Sequence, residues 1–168
     1  ARHDLGVMAS LAHTDPLTGL PNRRGLNAAL AEVLPHASPG RLVALYALDL
    51  DGFKPVNDRF GHDVGDDLLV AVAQRLRAHI RSSDLVARVG GDEFVLAAAD
   101  TTAEGLLHLA QRVQQQFKQQ MQQSGLESSL SIGIASTEES ALDQLLQRAD
   151  QALYKAKELG RDRVELAC

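Results

Sequence analysis

The chain has 168 residues, 45% of them hydrophobic, which is enough for a single domain with a proper core. Its formal charge of −5 and its lack of a long basic stretch argue against nucleic acid as a partner. The only cysteine, Cys168, is the last residue, which excludes disulfides and cysteine metal sites.

No segment reaches the roughly 18 apolar residues of a membrane span, and no signal peptide is visible. We therefore expect a cytoplasmic location and no membrane contact within this stretch. The chain begins at Ala1 in what reads as the middle of a helix. We expect a fragment of a longer protein, whose own membrane anchoring stays open.

The predicted elements alternate between helices and strands. Residues 1–13 read as a helical stub of an upstream linker, and residues 14–168 read as the domain itself. After a turn-rich loop at 14–22, the pattern predicts helices at 24–34, 63–81, 103–122 and 142–159, and strands at 42–48, 129–135 and near Val164. With a hairpin at 85–99, this order predicts an α/β sandwich in which helices surround a mixed central sheet.

The hairpin carries the sequence Arg88-Val89-Gly90-Gly91-Asp92-Glu93-Phe94 at its centre. Two glycines between β-prone segments are typical of a tight turn. Two carboxylates at its tip are unfavourable unless a cation or a basic ligand offsets their charge.

A second acidic segment, Asp49-Leu50-Asp51-Gly52-Phe53-Lys54, follows the apolar run from Leu42 to Leu48. It predicts a buried strand that delivers acids to the end of a sheet, where ligands of α/β proteins often bind. Together with the hairpin, such acids could hold Mg²⁺, which prefers oxygen ligands and shares them with substrate phosphates. The alternative is a solvated strand end with Lys54 as counter-ion.

Several motifs in a fixed order extend this pattern along nearly the whole chain. They are Asp15-Pro16-Leu17-Thr18-Gly19-Leu20-Pro21-Asn22-Arg23-Arg24, Asp49 to Asp58, Gly61-His62, Gly65-Asp66, the hairpin signature, Ser131-Ile132-Gly133, Ala149-Asp150, Ala152-Leu153-Tyr154, Ala156-Lys157 and Gly160-Arg161. The sequence resembles the GGDEF domain, the catalytic module of diguanylate cyclases, from Asp15 to about Val164. Gly52 departs from the family pattern, which often has histidine there.

The resemblance implies a palm-like nucleotidyl cyclase fold with the signature on a β-hairpin. It also implies condensation of two GTP molecules to cyclic di-GMP and two pyrophosphates, between two facing domains of a transient homodimer. Asp49, Asp92 and the Leu50 carbonyl would then hold Mg²⁺ or Mn²⁺, two ions per active site. Asp92, Glu93 and Lys54 would be the catalytic residues, with Glu93 as an auxiliary ligand or an orienting acid.

The resemblance also implies how the substrate is bound. Lys54, Lys157 and Arg161 would contact the triphosphate, with Lys157 and Arg161 four residues apart on one helix face. Asn57 and Asp66 would select guanine, and Phe53 would lie beside them in the substrate site. Without a ligand, the helix dipole could explain the two cations, and a turn and a first helical turn could explain Asn57 and Asp66.

A second ligand site is implied at Arg81-Ser82-Ser83-Asp84, because its distance from Gly90-Gly91 matches that of the family's inhibitory site. There cyclic di-GMP would bind as a feedback inhibitor, with Arg112 as a further contact. Arginine suits this role because its guanidinium can donate two hydrogen bonds to a phosphate or to a guanine edge and can stack on bases.

Two other functions compete with an active cyclase. One is a GGDEF domain that no longer catalyses and only senses cyclic di-GMP or GTP. The other is a polymerase-like palm, which fits paired acids on strand ends but not the negative charge or the single-domain size. The intact Gly90-Gly91-Asp92-Glu93-Phe94 signature and the retained Asp49, Lys54, Asn57 and Asp66 favour the active enzyme.

Overall fold

The structure, a computed structural model, describes residues 12–33, 41–81, 84–138 and 144–167. Most of the predicted helical stub, residues 1–11, lies outside these ranges, as do Ser82, Ser83 and residues 142–143 of the last predicted helix. None of the helices in the described ranges is long and apolar enough to cross a membrane.

The described chain forms five strands and five helices. In order they are α1 (Arg23–Val33), β1 (Leu42–Asp51), α2 (Phe53–Phe60), α3 (His62–His79), β2 (Leu85–Arg88), β3 (Glu93–Thr101), α4 (Ala103–Gln123), β4 (Ser129–Ser136), α5 (Leu145–Glu158) and β5 (Val164–Leu166). The sheet order is β2-β3-β1-β4-β5. The β1, β2, β3 and β4 pairings are antiparallel, and β5 runs parallel to β4, so the predicted mixed sheet is confirmed.

Strand β1 is the centre of the molecule, and all ten of its residues are buried. Because side chains alternate across a strand, Tyr46 and Leu48 face one core and Leu45 and Ala47 face the other. The first core is completed by α3 and α4, and the second by α1 and α5. This two-sided packing confirms the α/β sandwich.

The predicted helices and strands are confirmed with ends that shift by a few residues, but helix α2 was not predicted. Its eight residues follow Gly52, which has a left-handed φ of 76°. Pro55 lies in its first turn, where the missing N–H costs no helical hydrogen bond. The sequence analysis missed this helix because a short segment with a proline resembles a loop.

Candidate active site

The acidic ends of β1 and of the hairpin meet at one edge of the sheet. In the β1–β3 register Asp49 lies opposite Glu93, and on the other side of β1 it lies opposite Ser131. The Leu50 amide donates to the carbonyl oxygen of Asp92 over 3.4 Å. Two segments separated by more than forty residues are thus brought together, as the sequence predicted.

Asp49 is only 5% exposed and has too few favourable partners for a buried carboxylate. Lys157 donates from Nζ to Asp49 Oδ2, whereas Asp49 Oδ1 is buried without a hydrogen-bond partner. Burial raises the pKa of Asp49 to about 6, and the nearby carboxylate of Asp92 adds to the effect against the opposing influence of Lys157. One ammonium group therefore does not balance the two adjacent carboxylates.

A divalent cation would fit beside this unpartnered oxygen. Asp49 and Asp92 supply carboxylate oxygens, which Mg²⁺ and Mn²⁺ prefer. Within the described ranges no group of three or more His, Cys, Asp or Glu side chains converges on a metal position. The remaining ligands would have to be backbone carbonyls, water and oxygens from a bound molecule, which suits Mg²⁺ bound together with phosphates.

The hairpin turn is held in place by Arg88 and the entry loop. Arg88 donates to the carbonyl oxygen of Gly91 from Nη2 (2.7 Å) and Nε (3.1 Å), and its Nη1 lies 3.1 Å from Asp15 Oδ1. Asp15 also accepts from the amide and hydroxyl of Thr18. Asp15 thus braces the loop against the turn that precedes Asp92.

Glu93 is placed differently from the other acids. Its carboxylate lies against Gly90, so close that a Cβ added there would be 2.9 Å from Glu93 Oε2. Its charge, after burial, raises the pKa of Asp150 on α5, and Arg23 opposes this effect. Glu93 is exposed, unlike Asp49, although the β1–β3 register places the two residues opposite each other on one face of the sheet.

Helices α2 and α3 bring together the residues expected at the nucleobase. Asn57 Nδ2 donates to Nδ1 of His62 (2.9 Å). The Asn57 amide oxygen lies so close to Gly65 that any side chain there would collide with it. Asp66, the next residue, is exposed in the first turns of α3, and Lys54 is exposed near the start of α2.

The prediction that Lys157 and Arg161 share a helix face is wrong. Helix α5 ends at Glu158, and Gly160 then turns the chain with a φ of 120°. Arg161 lies in the loop beyond, with a φ of 64°. Both cations nevertheless reach the end of β1, because Lys157 contacts Asp49 and Arg161 Nη1 lies 3.9 Å from Asp51 Oδ1.

A family model described as "Diguanylate cyclase, GGDEF domain" matches residues 12–163. The chain belongs to the GGDEF family of diguanylate cyclases. The match covers the acidic strand end, the hairpin and the basic loop after α5 together.

Named relatives agree with this family. The chain is similar to the response regulator PleD of Caulobacter vibrioides (38% identity, covering 97% of this chain and 38% of PleD). It is also similar to the diguanylate cyclase DgcP of Pseudomonas aeruginosa (42% identity, 93% of this chain and 24% of DgcP). The chain thus spans less than two-fifths of either relative.

A solved structure matches the fold closely. It contains the coiled coil and GGDEF domain of DgcB from Caulobacter crescentus in complex with cyclic di-GMP. The TM-score is 0.85 at 27% identity, and the match covers 99% of this chain and 91% of that one.

At the other end of the GGDEF hairpin, Arg81 and Asp84 contact each other. Asp84, with a side chain only 2% exposed, accepts from the Arg81 amide (3.0 Å) and from the Ala99 amide (3.3 Å). Arg81 Nη2 donates to the Ala99 carbonyl (2.6 Å). Arg112 lies on α4 near His79, and the contacts described for Asp84 do not include it.

The sequence analysis missed a set of polar residues beside the site. They are Ser129 and Ser131 of β4 and Asp162 of the loop after α5, all of which bond to Asp51. A signal was present, because Asp-x-Asp and Ser-x-Ser each place two polar side chains on one face of a strand. Finding it required knowing that β1 and β4 are neighbours.

Proposed function

We propose that this domain is an active diguanylate cyclase. The reaction would consist of two chemically equal steps. In each step the 3′-oxygen of one GTP would form a bond to the α-phosphorus of the other, and the bond between that phosphorus and pyrophosphate would break. The proton of the 3′-hydroxyl would pass to Asp92 or to water. Two such steps yield one cyclic di-GMP and two pyrophosphates. The observation that carries this proposal is the buried carboxylate of Asp49, which lies beside Asp92 and Lys157 and has one oxygen without a hydrogen-bond partner.

Asp49, Asp92 and the Leu50 carbonyl would hold Mg²⁺ or Mn²⁺ with the triphosphate, with two ions per site. Such a cation lowers the pKa of an attacking hydroxyl and neutralises charge on the leaving group. Asp49 Oδ1 has no hydrogen-bond partner, and the pKa of Asp49 is raised. Both observations support this assignment, because they indicate that the surroundings supply too little positive charge for this carboxylate.

Lys54, Lys157 and Arg161 would bind the triphosphate. Lys157 donates to Asp49 Oδ2, and we propose that its ammonium turns to a phosphate oxygen when cation and nucleotide bind. The side chain of Arg161 is 57% exposed, so it is accessible to a ligand. Glu93 would orient this arrangement from the hairpin.

Asn57 and Asp66 would select the base, with Phe53 beside them. A carboxylate accepts from N1–H and the exocyclic amine of guanine, whereas adenine offers an acceptor at N1. A site of this kind discriminates because the wrong base leaves polar groups unpaired. The packing of Asn57 against Gly65, directly before Asp66, supports placing the two residues in one subsite.

Catalysis would require two copies of the domain, since each GTP must meet the α-phosphate of the other. We propose a transient homodimer that an upstream helix would pair in the longer protein. The DgcB structure, which contains a coiled coil as well as the GGDEF domain, supports this arrangement. Cyclic di-GMP would in turn inhibit the enzyme at Arg81 and Asp84, with Arg112 contributing.

The test is GTP turnover with Mg²⁺ at several protein concentrations after bound product is removed, with cyclic di-GMP quantified by chromatography. We expect a specific rate that rises with protein concentration and is abolished in Asp92→Asn. Glu104→Gln, which removes an exposed acid at the start of α4, should behave as wild type. GTP binding without product at any concentration would contradict the proposal and favour a sensor.

A further inference from the structure

We propose that Asp51 is a positioning residue that fixes the loop carrying Arg161, a role that rests on the function proposed above. Asp51 is the last residue of β1, two residues after Asp49 and on the same face of the strand. It is 6% exposed and thus about as buried as Asp49. Both oxygens of Asp51 have hydrogen-bond partners, however, whereas Asp49 Oδ1 has none.

Both carboxylate oxygens of Asp51 have hydrogen-bond partners. Oδ1 accepts from Ser131 Oγ (2.7 Å), and Oδ2 accepts from Ser129 Oγ (2.7 Å) and from the Asp162 amide (2.9 Å). Ser131, which is 0% exposed, also accepts from the Asp162 amide over 3.2 Å. Asp51 therefore joins β4 to the backbone of the loop.

The loop needs such an anchor because of its backbone conformation. Arg161 and Asp162 have φ values of 64° and 47°, and these are the described non-glycine residues with positive φ. Side chains rarely adopt this region, since Cβ crowds the backbone there. The Asp162 carboxylate is held from the opposite side by Lys118 and Gln114 of α4, so the loop is tied to two elements.

These contacts affect the backbone and the side chain of Arg161 differently. Asp51 accepts a hydrogen bond from the backbone amide of Asp162, the residue after Arg161. The distance from Asp51 to the Arg161 guanidinium is longer, at 3.9 Å. The side chain thus stays exposed, while the position from which it projects is fixed. An anchored arginine loses less conformational freedom when it binds a phosphate, so it binds more tightly.

The variants Asp51→Asn and Ser131→Ala test this role, with Ser128→Ala as the matched control. Ser128 Oγ donates to the backbone carbonyl of Asp51 (2.9 Å) and leaves the carboxylate untouched. Ser131→Ala removes a single hydroxyl, so this variant can still test the proposal if Asp51→Asn fails to fold.

Two readouts are needed. In the nucleotide-free protein, amide hydrogen exchange of residues 159–163 should accelerate in both test variants and stay at the wild-type rate in Ser128→Ala. In turnover assays KM for GTP should rise about tenfold, the size expected for a lost charged hydrogen bond, with kcat within about twofold. The double variant Ser131→Ala/Arg161→Ala should match Arg161→Ala alone.

Equal exchange in Ser131→Ala and Ser128→Ala would overturn the proposal. So would additive effects of Ser131→Ala and Arg161→Ala on KM, because Asp51 would then act independently of Arg161. A wild-type protein that makes no cyclic di-GMP would contradict the proposed function instead, and the exchange experiment would still decide whether Asp51 anchors the loop.

Discussion

Asp49 and Asp51 lie two residues apart on one face of β1 and are equally buried, yet they affect stability in opposite ways. Asp51 is satisfied by three short hydrogen bonds. Asp49 has an unpartnered oxygen and a pKa of about 6. Because that pKa is above the value of 3.8 for an unperturbed Asp, ionised Asp49 weakens the fold at pH 7.

We therefore expect Asp49→Asn to raise the free energy of unfolding of the nucleotide-free protein by about 1–2 kcal/mol at pH 7 while it abolishes turnover. Asp51→Asn should lower the same free energy, since it removes acceptors from buried donors. Urea denaturation of both variants measures this contrast. A loss of stability in Asp49→Asn would refute the view that the site is short of positive charge.

The proposed selection of the base also depends on single residues. Asp66→Ala should reduce the preference for GTP over ATP by about 10- to 100-fold in kcat/KM, because no acceptor remains for the guanine N1–H. Asp67→Ala removes the neighbouring exposed acid of α3 and should leave the preference unchanged. Equal preferences in Asp66→Ala and wild type would mean that base recognition lies elsewhere.

Among the elements, α5 and β4 approach each other closely at Gly133. A Cβ added to Gly133 would lie 2.2 Å from the Leu153 amide nitrogen and 2.4 Å from the Ala149 carbonyl oxygen. These are backbone atoms, which cannot move without moving the helix. The same helix carries Lys157, so this contact also sets where that ammonium meets β1.

Gly133→Ala should accordingly destabilise the domain by about 1–3 kcal/mol, the usual cost of overpacking, and displace Lys157 from Asp49. Thermal or urea denaturation measures the loss. Gly91→Ala is the matched control for stability, because nothing lies within 4 Å of the added Cβ. Equal losses in the two variants would show that the α5–β4 approach is not tight.

The entry loop and the hairpin are joined by the pair Asp15–Arg88. Burial opposes ionisation of Asp15, but the Thr18 hydrogen bonds and Arg88 outweigh it and lower the pKa of Asp15 below 3.8. A lowered pKa contributes stability that is present above the unfolded value and is lost as the pH falls through the folded value.

The difference in unfolding free energy between wild type and Asp15→Asn should therefore be about 1–3 kcal/mol near neutral pH and shrink below pH 3.8. Denaturation at a series of pH values measures it. Glu104→Gln, an exposed substitution, should show no such trend. A difference that stays constant down to the lowest pH would exclude the ionised pair as its source.

Long periodic elements could be predicted from the sequence because their burial pattern repeats many times. Helix α4 and strand β4 each end within one residue of the predicted limit. Short elements could not, since α2 shows little more than two helical turns and contains Pro55. The path after α5 was also mispredicted, because Arg161 adopts a positive φ that the sequence gives no reason to expect.

For the molecule as a whole, the two proposed ligand sites lie at opposite ends of the β2–β3 hairpin. Asp84 bonds to Ala99 near the end of β3, whereas Asp92 lies at the turn before β3 begins. A ligand bound at Arg81 and Asp84 would lie at the end of the hairpin away from Asp92. Inhibition from there would act through the placement of two domains rather than through competition for the substrate site.

We expect Arg81→Ala to abolish inhibition by added cyclic di-GMP while kcat and KM for GTP stay within about twofold of wild type. Arg77→Ala, an exposed arginine in the last turn of α3, should retain inhibition. Initial rates at increasing product concentrations measure both. Undiminished inhibition in Arg81→Ala would remove this site from the mechanism.

The site could be foreseen only as far as its residues lie in contiguous motifs. Asp49, Asp92 and Lys157 stand in such motifs, and the structure brings them together. The anchoring of Asp162 by Asp51, Ser129 and Ser131 depends on contacts across 31 to 111 positions of sequence. Such contacts follow from strand order and loop path, which one sequence does not determine.

Strand β1 is buried along its whole length and paired on both sides. The repulsion between Asp49 and Asp92 is therefore overcome during folding, before any nucleotide arrives. Nucleotide binding then requires only that the side chain of Lys157 turn away from Asp49, so the association rate of metal-bound GTP should be limited by diffusion and electrostatic attraction. The slow steps of the catalytic cycle would then be the association and dissociation of the two domains.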